Sequence, residues 1–400
     1  MTEPASLVVV GASLAGLRAI EAARKDGFEG ALTLVGAEPH LPYDRPPLSK
    51  AFLEAEADPE VPQFRDEQTL KGELGVDLRL GAPATGLDTE ARVLHVGTEQ
   101  IAYDALVIAT GARARTLPGA DALRGVLSLR SLDDAHAIRH AITEARNVVV
   151  IGAGFIGSEV ASSAHKRGRK VTILEQQPVP LVRAVGEALG KECAELHAAH
   201  GVDLRCGVGV SSIEGDGVVE AVCLDDGSTL DADLVVVGIG AVPATEWLAS
   251  SGLRLDDGVA CDQTLWTGAP GVYAAGDVAR WHNPAFDREM RLEHWTSAAE
   301  QGALAARNAL DPANSTAYST VPYFWSDWYG NRLQFVGIPA ADRVEIVLRD
   351  DRGLVALYAE GDRLVGALTR NRPRFIMKLR RLIAEGASWS DGVELVTPSR

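Results

Sequence analysis

Two glycine-rich turns, each placed between an apolar strand and a helical pattern, constrain the fold of this 400-residue chain more than any other feature. The first turn, Gly11 to Gly16, follows the run Leu7 to Val10. The second, Gly152 to Gly157, follows Val148 to Ile151. In such a unit the first glycine makes the tight turn, the second lets the backbone approach a pyrophosphate, and the third lets helix and strand pack closely. Ser13 replaces the middle glycine of the first turn, a small change that we expect to be tolerated. The pair predicts an α/β chain that holds two dinucleotides.

An acidic residue follows the next predicted strand in each unit, Glu38 after Ala31 to Val35 and Glu175 after Lys170 to Leu174. A carboxylate in this place accepts hydrogen bonds from ribose hydroxyls but repels the 2′-phosphate of NADP. Two glutamines and no arginine follow Glu175, so the second site favours NADH. In the alternative interpretation Glu175 is a solvated strand end.

Two further segments indicate FAD at the first site. Tyr103 to Gly111 and Gly271 to Asp277 each resemble a strand that ends in a turn. In a flavoprotein Gly276 would permit close backbone approach, and Asp277 would accept hydrogen bonds from the ribityl hydroxyls.

Several segments together carry a resemblance to a known family. They are Pro42 to Lys50, Ala109 to Arg113, Leu129 to Leu132, Val237 to Gly240, Ala275 to Asp277, Glu293 to Trp295 and Phe324 to Asp327. Through them the chain resembles, nearly end to end, the NADH-dependent ferredoxin reductases of the putidaredoxin reductase and biphenyl dioxygenase reductase type. The segment Arg45 to Lys50 is its most specific part.

The resemblance and the strand–helix pattern imply an α/β fold with two Rossmann-like dinucleotide-binding domains, for FAD and NADH, as in glutathione reductase, followed by an α+β C-terminal domain. We expect the FAD-binding domain over residues 1–112 and 242–318, the NADH-binding domain over 113–241, and the C-terminal domain over 319–400. A hairpin turn at Asp225 to Gly227 places a β-meander in the middle domain.

The loops and the resemblance together name the candidate cofactor-binding residues. For FAD they are Gly11, Ser13, Ala15, Gly16, Glu38, Arg45, Lys50, Arg130, Asp277 and Trp295. For NAD they are Gly152, Gly154, Ile156, Gly157, Glu159, Glu175 and Gly240. Ala37 stands where the family often has an aspartate, so the ribose contact is assigned to Glu38 alone.

Hydride transfer from nicotinamide C4 to flavin N5 needs positioning rather than a protein nucleophile or a metal. The resemblance implies that Lys50 lies near flavin N5 and pairs with Glu159, which contacts the nicotinamide amide. Trp295 precedes a predicted helix, Thr296 to Leu310, whose N-terminal dipole would stabilise reduced flavin. Lys50, Glu159 and Trp295 are therefore the candidate catalytic residues. The alternatives are a surface lysine, a helix glutamate with structural partners and a core tryptophan.

One departure from the family concerns the aromatic segment near the flavin. The chain has Trp328 where related sequences usually have glutamine. The family's acceptor access and flavin hydrogen bonding therefore do not transfer to this position.

The four cysteines lie far apart in the sequence, at positions 193, 206, 223 and 261. Because none forms a Cys-x-x-Cys or Cys-x₄-Cys pair, the chain is not expected to pass electrons to a redox disulfide as glutathione reductase and thioredoxin reductase do. No zinc-type spacing is present, and we expect no metal. Without a basic leader or a run of about 18 apolar residues, we expect a cytoplasmic protein with no membrane span.

The electron acceptor must then be a separate molecule, and the resemblance implies a small acidic two-iron ferredoxin. The chain carries a net charge of −16, which argues against nucleic acid as a partner. Residues 363–381 nevertheless contain only basic charges: Arg363, Arg370, Arg372, Arg374, Lys378, Arg380 and Arg381. Such a stretch, above all Arg370 to Arg381, can steer an acidic partner; alternatively it is a solvated face.

The leading hypothesis is an FAD-dependent NADH:ferredoxin oxidoreductase that supplies a haem monooxygenase or a ring-hydroxylating dioxygenase. A second hypothesis is a rubredoxin reductase or an NADH-dependent quinone or oxygen reductase on the same fold. A third, of another class, is a redox sensor like apoptosis-inducing factor, which NADH would switch through a long-lived complex.

Overall fold

The structure is a computed structural model that describes residues 4–119 and 122–397. In chain order the strands are β1 Ser6–Val10, β2 Ala31–Val35, β3 Val76–Arg79, β4 Ala84–Asp88, β5 Val93–Val96, β6 Glu99–Ala102, β7 Ala105–Ile108, β8 Ala112–Ala114, β9 Val126–Ser128, β10 Asn147–Ile151, β11 Lys170–Glu175, β12 Asp203–Cys206, β13 Val210–Glu214, β14 Ala221–Leu224, β15 Thr229–Asp231, β16 Leu234–Val237, β17 Ala241–Pro243, β18 Val259–Cys261, β19 Val272–Ala274, β20 Ala279–Asn283, β21 Arg288–Arg291, β22 Tyr323–Trp328, β23 Asn331–Gly337, β24 Arg343–Asp350, β25 Gly353–Glu360 and β26 Arg363–Arg370. The α-helices are α1 Leu14–Lys25, α2 Ala51–Glu54, α3 Leu132–Glu144, α4 Phe155–Lys166, α5 Val182–Ala199, α6 Trp295–Leu310, α7 Pro373–Ala384 and α8 Trp389–Val396.

The chain divides into two compact units. Unit 1 comprises residues 1–44, 61–113 and 242–322, and unit 2 comprises residues 45–60, 114–241 and 323–400. The segment 45–60 thus belongs with the middle of the chain, and so does the C-terminal part. The predicted boundaries near 113, 242 and 319 lie close to places where the chain passes from one unit to the other.

Unit 1 is built on a five-stranded parallel sheet in the order β19-β7-β1-β2-β3. Residues 7–10 of the central strand β1 are apolar and buried, as expected for a parallel strand covered on both faces. Its last residue, Val10, pairs with Val35 of β2 and Ile108 of β7. The carboxyl ends of these three strands therefore meet at one edge, where parallel α/β sheets bind ligands. Helices α1 and α6 pack against each other in this unit.

Unit 2 repeats the plan with a five-stranded parallel sheet in the order β12-β11-β10-β16-β9. Ile151 at the end of β10 pairs with Leu174 of β11 and Val237 of β16. The predicted hairpin is confirmed, since β14 and β15 pair on either side of Asp225 to Gly227.

The C-terminal part of unit 2 is a five-stranded antiparallel sheet in the order β22-β23-β26-β25-β24. Helix α7 packs on it through an apolar face of Phe375, Ile376, Leu379 and Ile383, all buried. Helix α8 begins with a capping box in which Ser388 and Asp391 satisfy each other's backbone N–H groups. The predicted fold class, with two parallel-sheet halves and an α+β C-terminal part, is confirmed.

None of the helices in the two described ranges combines the length and hydropathy of a membrane span. Within the same ranges no group of three or more histidine, cysteine and acidic side chains is arranged to hold a metal ion.

Candidate dinucleotide sites and the buried polar cluster

The first glycine-rich loop leaves Gly11 and Gly16 no room for a side chain. Gly11 has φ +125°, and a Cβ there would lie 2.1 Å from the Ala109 carbonyl oxygen. A Cβ on Gly16 would lie 2.0 Å from the Gly11 carbonyl oxygen. Ser13, by contrast, has φ −130°, which any residue adopts. The departure at Ser13 therefore costs the loop no backbone strain.

The second loop has the same geometry in unit 2. Gly152 has φ +100°, and a Cβ there would lie 2.5 Å from the Gly238 carbonyl oxygen. A Cβ on Gly157 would lie 2.0 Å from the Gly152 carbonyl oxygen. A Cβ on Gly154 would meet its nearest neighbour only at 3.8 Å, so the middle position is open in this loop. Gly240, at φ +103°, is exposed.

The helices that follow the two loops begin without a side-chain cap. Among the described residues, no side chain accepts from the first backbone N–H groups of α1 or α4, and neither helix has an acidic residue in its first turn. Helices α3 and α8 differ, because Ser131 and Ser388 cap them. The N–H groups of α1 and α4 are thus left for an anion, and both loops fit a pyrophosphate.

Both predicted ribose carboxylates are held in place by neighbours. Glu38, just past β2, accepts a hydrogen bond from the Tyr43 hydroxyl at 2.5 Å. Glu175, at the end of β11, accepts from the backbone N–H of Ala153 at 2.7 Å and of Gln177 at 2.8 Å. The oxygens of the Glu175 carboxylate have further lone pairs that can accept from a ribose hydroxyl. Glu175 is therefore tied to the glycine-rich loop itself and is not a free strand end.

The Gly276–Asp277 turn follows β19, an edge strand of the sheet whose central strand β1 leads into the first glycine-rich loop. Gly276 has φ +77°, and its N–H donates to the buried Gln301 side chain of α6 at 2.8 Å. Ala15 is buried against α6, since a Cβ on Gly302 would lie 2.1 Å from the Ala15 carbonyl oxygen. Burial lowers the pKa of His294, the residue before α6, to about 4, so this ring is neutral at pH 7.

Trp295 is the first residue of α6, one position earlier than the predicted helix start. Its indole N–H donates to the Asp44 carboxylate at 2.8 Å. The side chain is half-buried and anchored at its polar end, which fixes the orientation of the ring at the helix N-terminus.

Lys50 and Glu159 form a salt bridge in unit 2, with 2.8 Å between Lys50 Nζ and Glu159 Oε2. The Glu159 side chain is only 3% exposed. Two hydroxyls complete its coordination: Ser49 donates to Oε2 at 2.5 Å and Ser326 donates to Oε1 at 2.5 Å. Lys50 also donates to the Pro46 carbonyl oxygen at 3.1 Å. Three donors on one buried carboxylate match its ionised form, which only accepts. Lys50 therefore has a buried partner, and Glu159 is a helix glutamate whose protein partners fit both the candidate catalytic role and the structural alternative.

The hydrogen-bonded chain continues beyond Ser326. The Trp328 indole N–H donates to the Ser326 hydroxyl at 2.6 Å. The Trp328 ring stacks on His197, with 5.1 Å between ring centroids. His197 is fully buried, and its Nδ1 lies 2.9 Å from the Tyr329 hydroxyl. We define these residues, with Ser49, Lys50 and Glu159, as the Glu159 cluster.

Arg45 and Arg130, both assigned to FAD by resemblance, lie together in unit 2. The Arg45 guanidinium donates to the Arg130 carbonyl oxygen at 2.6 Å. The Arg130 N–H donates to Asp134, which also closes the capping box of α3.

The predicted basic stretch needs a correction. Arg372 is buried and forms a salt bridge with Asp350, and Arg381 pairs with Glu385 at 2.8 Å. These two charges are neutralised by acidic partners just outside the stretch. Arg374 and Lys378 stay exposed on α7, on either side of Met377, which is 53% exposed.

The four cysteines are free thiols. Burial raises the pKa of Cys193 to about 12 and raises the pKa of Cys261 still further. Cys193 is buried and Cys261 is partly buried, and the raised pKa of each thiol disfavours the reactive thiolate.

Sequence reasoning missed Asp44, Ser49, Gln301 and Ser326. Three of these stand within or beside the segments that carry the family resemblance, Asp44 and Ser49 in Pro42 to Lys50 and Ser326 in Phe324 to Asp327. Gln301 has no such signal, because its bond to Gly276 depends on how α6 packs.

Comparisons with known proteins show the family to which the chain belongs. Residues 5–302 match the family described as pyridine nucleotide-disulphide oxidoreductase, and residues 323–395 match the reductase C-terminal domain. The chain is 38% identical to rhodocoxin reductase of Rhodococcus erythropolis, over 95% of this chain and 89% of the relative. It is 37% identical to the ferredoxin reductase component of chlorobenzene dioxygenase from Cupriavidus sp. strain PS12, over 96% and 93% of the two chains.

Among solved structures, the chain is similar to the reductase in the covalent putidaredoxin reductase–putidaredoxin complex. The TM-score is 0.92 at 31% identity, with 99% of both chains covered. The chain therefore belongs to the NADH-dependent ferredoxin reductases of the pyridine nucleotide-disulphide oxidoreductase family, flavoproteins that use FAD and NADH.

Proposed function

We propose that unit 1 holds FAD, that unit 2 holds NADH, and that the enzyme delivers electrons singly to a two-iron ferredoxin of a haem monooxygenase or ring-hydroxylating dioxygenase. The observation that carries the proposal is the Lys50–Glu159 salt bridge, because Glu159 lies on α4 directly behind the second glycine-rich loop. Bound FAD would supply a group that accepts a hydride and releases its electrons one at a time.

In unit 1 the backbone of the first loop would bind the FAD pyrophosphate. The contributing residues are Gly11, Ser13, Ala15 and Gly16, with Glu38 on a ribose and Asp277 on the ribityl chain. Trp295, anchored by Asp44, would present α6 to the flavin. Since the N–H groups at the start of α6 carry a partial positive charge, they would favour a reduced, negatively charged ring.

In unit 2 the second loop would bind the NADH pyrophosphate. Gly152, Gly154 and Gly157 give close backbone approach, and Glu175 would accept hydrogen bonds from the ribose. Ile156, which is 41% exposed at the start of α4, offers an apolar surface to the nucleotide. Exposed Gly240 leaves space for it beside the loop.

The catalytic pair would act by position and charge. Glu159, held by Lys50 and two serine hydroxyls, would accept the N–H of the nicotinamide carboxamide and orient the ring for hydride transfer. Lys50 would place a positive charge where the hydride acceptor gains electrons. We also assign Lys50, Arg45 and Arg130 to FAD, on the strength of the resemblance.

For the protein partner we propose docking on α7. Arg374 and Lys378 are exposed there beside Met377, which combines positive charge with an apolar contact. A partner with an acidic surface would be attracted to such a patch, and its approach would weaken with salt. Arg372 and Arg381 are left out of this surface because of their acidic partners.

We place the enzyme in the cytoplasm. Support comes from its four free thiols, which suit a reducing compartment.

The test is anaerobic stopped-flow reduction of the FAD-loaded protein, first with NADH and then with NADPH. We expect flavin bleaching about tenfold or more faster with NADH. The reduced enzyme is then mixed with purified two-iron ferredoxins, a rubredoxin and a quinone. Rapid reduction of a ferredoxin supports the proposal. Faster reduction of rubredoxin or quinone than of any ferredoxin would contradict the proposed acceptor and favour the second hypothesis. Slow reoxidation by every acceptor would favour the sensor hypothesis.

A further inference from the structure

The Glu159 cluster contains a feature that the reaction itself does not require. Glu159 Oε2 is already held by Lys50 and Ser49, so the carboxylate is charge-paired without further help. Its other oxygen, Oε1, accepts from Ser326, a residue of β22 in the C-terminal part of unit 2. The contact with Ser326 therefore fixes the orientation of the Glu159 carboxylate, because a carboxylate with both oxygens hydrogen-bonded cannot rotate freely.

The direction of the Ser326 hydroxyl is itself determined. A serine hydroxyl has one proton and can point it at any nearby acceptor. The Trp328 indole N–H can only donate, and it donates to Ser326 at 2.6 Å. With a lone pair occupied by Trp328, Ser326 keeps its proton for Glu159 Oε1.

Trp328 in turn has little freedom to move. It is 1% exposed, and its ring stacks on His197 at an interplanar angle of 22°. His197 is held between the Tyr329 hydroxyl at 2.9 Å and the Ser158 hydroxyl at 3.3 Å. Ser158 precedes Glu159 on α4, so the chain of contacts returns to the helix from which it started.

We propose that Ser326 and Trp328 are positioning residues that fix the orientation of the Glu159 carboxylate for the nicotinamide of NADH. Trp328 acts through Ser326, and Ser326 acts through Glu159. The proposal depends on the proposed function, since it assigns the orienting task to the same glutamate.

The experiment measures the limiting rate of flavin reduction and the apparent Kd for NADH in anaerobic stopped flow. The variants are Glu159→Gln, Ser326→Ala, Trp328→Phe and the double variant Ser326→Ala/Glu159→Gln. Ser326→Ala removes the donor to Glu159, and Trp328→Phe removes the indole N–H while keeping a ring against His197.

Ser326→Ala and Trp328→Phe each have a matched control in unit 1. Ser251→Ala removes a buried hydroxyl that donates to the Leu248 carbonyl oxygen at 2.7 Å. Trp281→Phe truncates a buried indole that donates to the Tyr318 carbonyl oxygen at 3.2 Å. Both controls are expected to reduce flavin at the wild-type rate, whatever they cost in thermal stability.

We expect Ser326→Ala to lower the limiting rate about tenfold, because it removes a hydrogen bond to the charged Glu159. Trp328→Phe should lower the rate about threefold, because it removes the donor that orients the Ser326 hydroxyl. In the Glu159→Gln background, Ser326→Ala should change the rate less than about twofold, because the two residues act as one unit.

Two results would overturn the inference. One is a wild-type rate in Ser326→Ala; the other is an equal loss from Ser326→Ala with and without Glu159→Gln, which a purely structural role would give. A wild-type rate in Glu159→Gln itself would instead remove the proposed role of Glu159, and the two failures are therefore distinguishable.

Discussion

Lys50 Nζ lies 2.8 Å from Glu159 Oε2, although the two residues belong to chain segments that are far apart in sequence and the glutamate is almost fully buried. A buried charge that loses its partner is strongly destabilising. Because Lys50 is 19% exposed and two serines would remain on Glu159, we expect Lys50→Met to lower the free energy of unfolding by about 2 kcal/mol. Urea denaturation measures this.

The matched control is Lys191→Met on α5. Lys191 lies 3.0 Å from Glu187, with both side chains more than half exposed. Its loss should cost less than about 0.5 kcal/mol. Equal losses in the two variants would show that the Lys50–Glu159 pair behaves as an ordinary surface pair.

Cofactor preference should depend on Glu175. Glu175→Gln removes the negative charge that repels a 2′-phosphate. The glutamine keeps one oxygen, which can still accept a hydrogen bond from one of the two backbone N–H groups that donate to the carboxylate. We expect the ratio of kcat/KM for NADPH to that for NADH to rise about tenfold. Glu195→Ala, which removes an exposed carboxylate of α5 in the same unit, should leave the ratio unchanged. A parallel loss with both nucleotides would mean that Glu175 only supports the loop.

The parts of the fold that depend on local pattern could be predicted from the sequence. The hairpin at Asp225 to Gly227 forms as predicted, because its turn residues are a local signal. The partners of Glu159, by contrast, could not be predicted from a local pattern. Ser49 and Ser326 reach it from two distant segments, and no local signal reports that meeting.

The error at Arg372 has a similar cause. A run of basic residues in the sequence indicates a solvated face, but Arg372 stands at the N-terminus of α7, where its side chain is buried against Asp350 of β24. A charge pattern does not tell which of its members the tertiary structure buries.

Stability should fall in mild acid because of His197. Burial lowers the pKa of His197 from 6.5 to about 4, so between these values the unfolded chain binds a proton that the folded chain does not. The contribution of the neutral, buried His197 ring to the free energy of unfolding is fully present above pH 6.5. It is lost as the pH falls towards 4. At pH 5 we expect it to lower the free energy of unfolding by about 2 kcal/mol relative to pH 7.

His197→Gln should therefore reduce the difference in unfolding free energy between pH 7 and pH 5. His294, whose pKa burial also lowers to about 4, contributes with the same sign and stays in the variant. The control is His140→Gln, since His140 is 80% exposed on α3. An unchanged pH slope in His197→Gln would contradict the assignment.

Docking on α7 predicts a charge-specific loss. Arg374→Glu/Lys378→Glu should raise the KM for an acidic ferredoxin about tenfold at low salt, with a smaller effect at high salt. Reduction of ferricyanide should be unaffected. Lys25→Glu/Lys191→Glu changes the net charge equally at exposed positions elsewhere and should leave the KM near wild type. An equal rise in KM in the two double variants would show that the effect depends on the overall charge of the protein and not on the α7 surface.

Gly157 and Gly154 of the second loop should respond differently to a side chain. Gly157→Ala places a Cβ 2.0 Å from the Gly152 carbonyl oxygen, and since neither backbone can yield, we expect a loss of about 3 kcal/mol in unfolding free energy. Gly154→Ser, which copies Ser13 of the first loop, meets nothing closer than 3.8 Å at an ordinary φ of −78°. It should cost less than about 1 kcal/mol. If this position serves the pyrophosphate of NADH, Gly154→Ser will weaken NADH binding while the flavin spectrum and the melting temperature stay close to wild type. Wild-type NADH affinity in this folded variant would show that NADH binding does not require glycine at the middle position of the loop. Ser13 already shows that the backbone of the first loop does not require it.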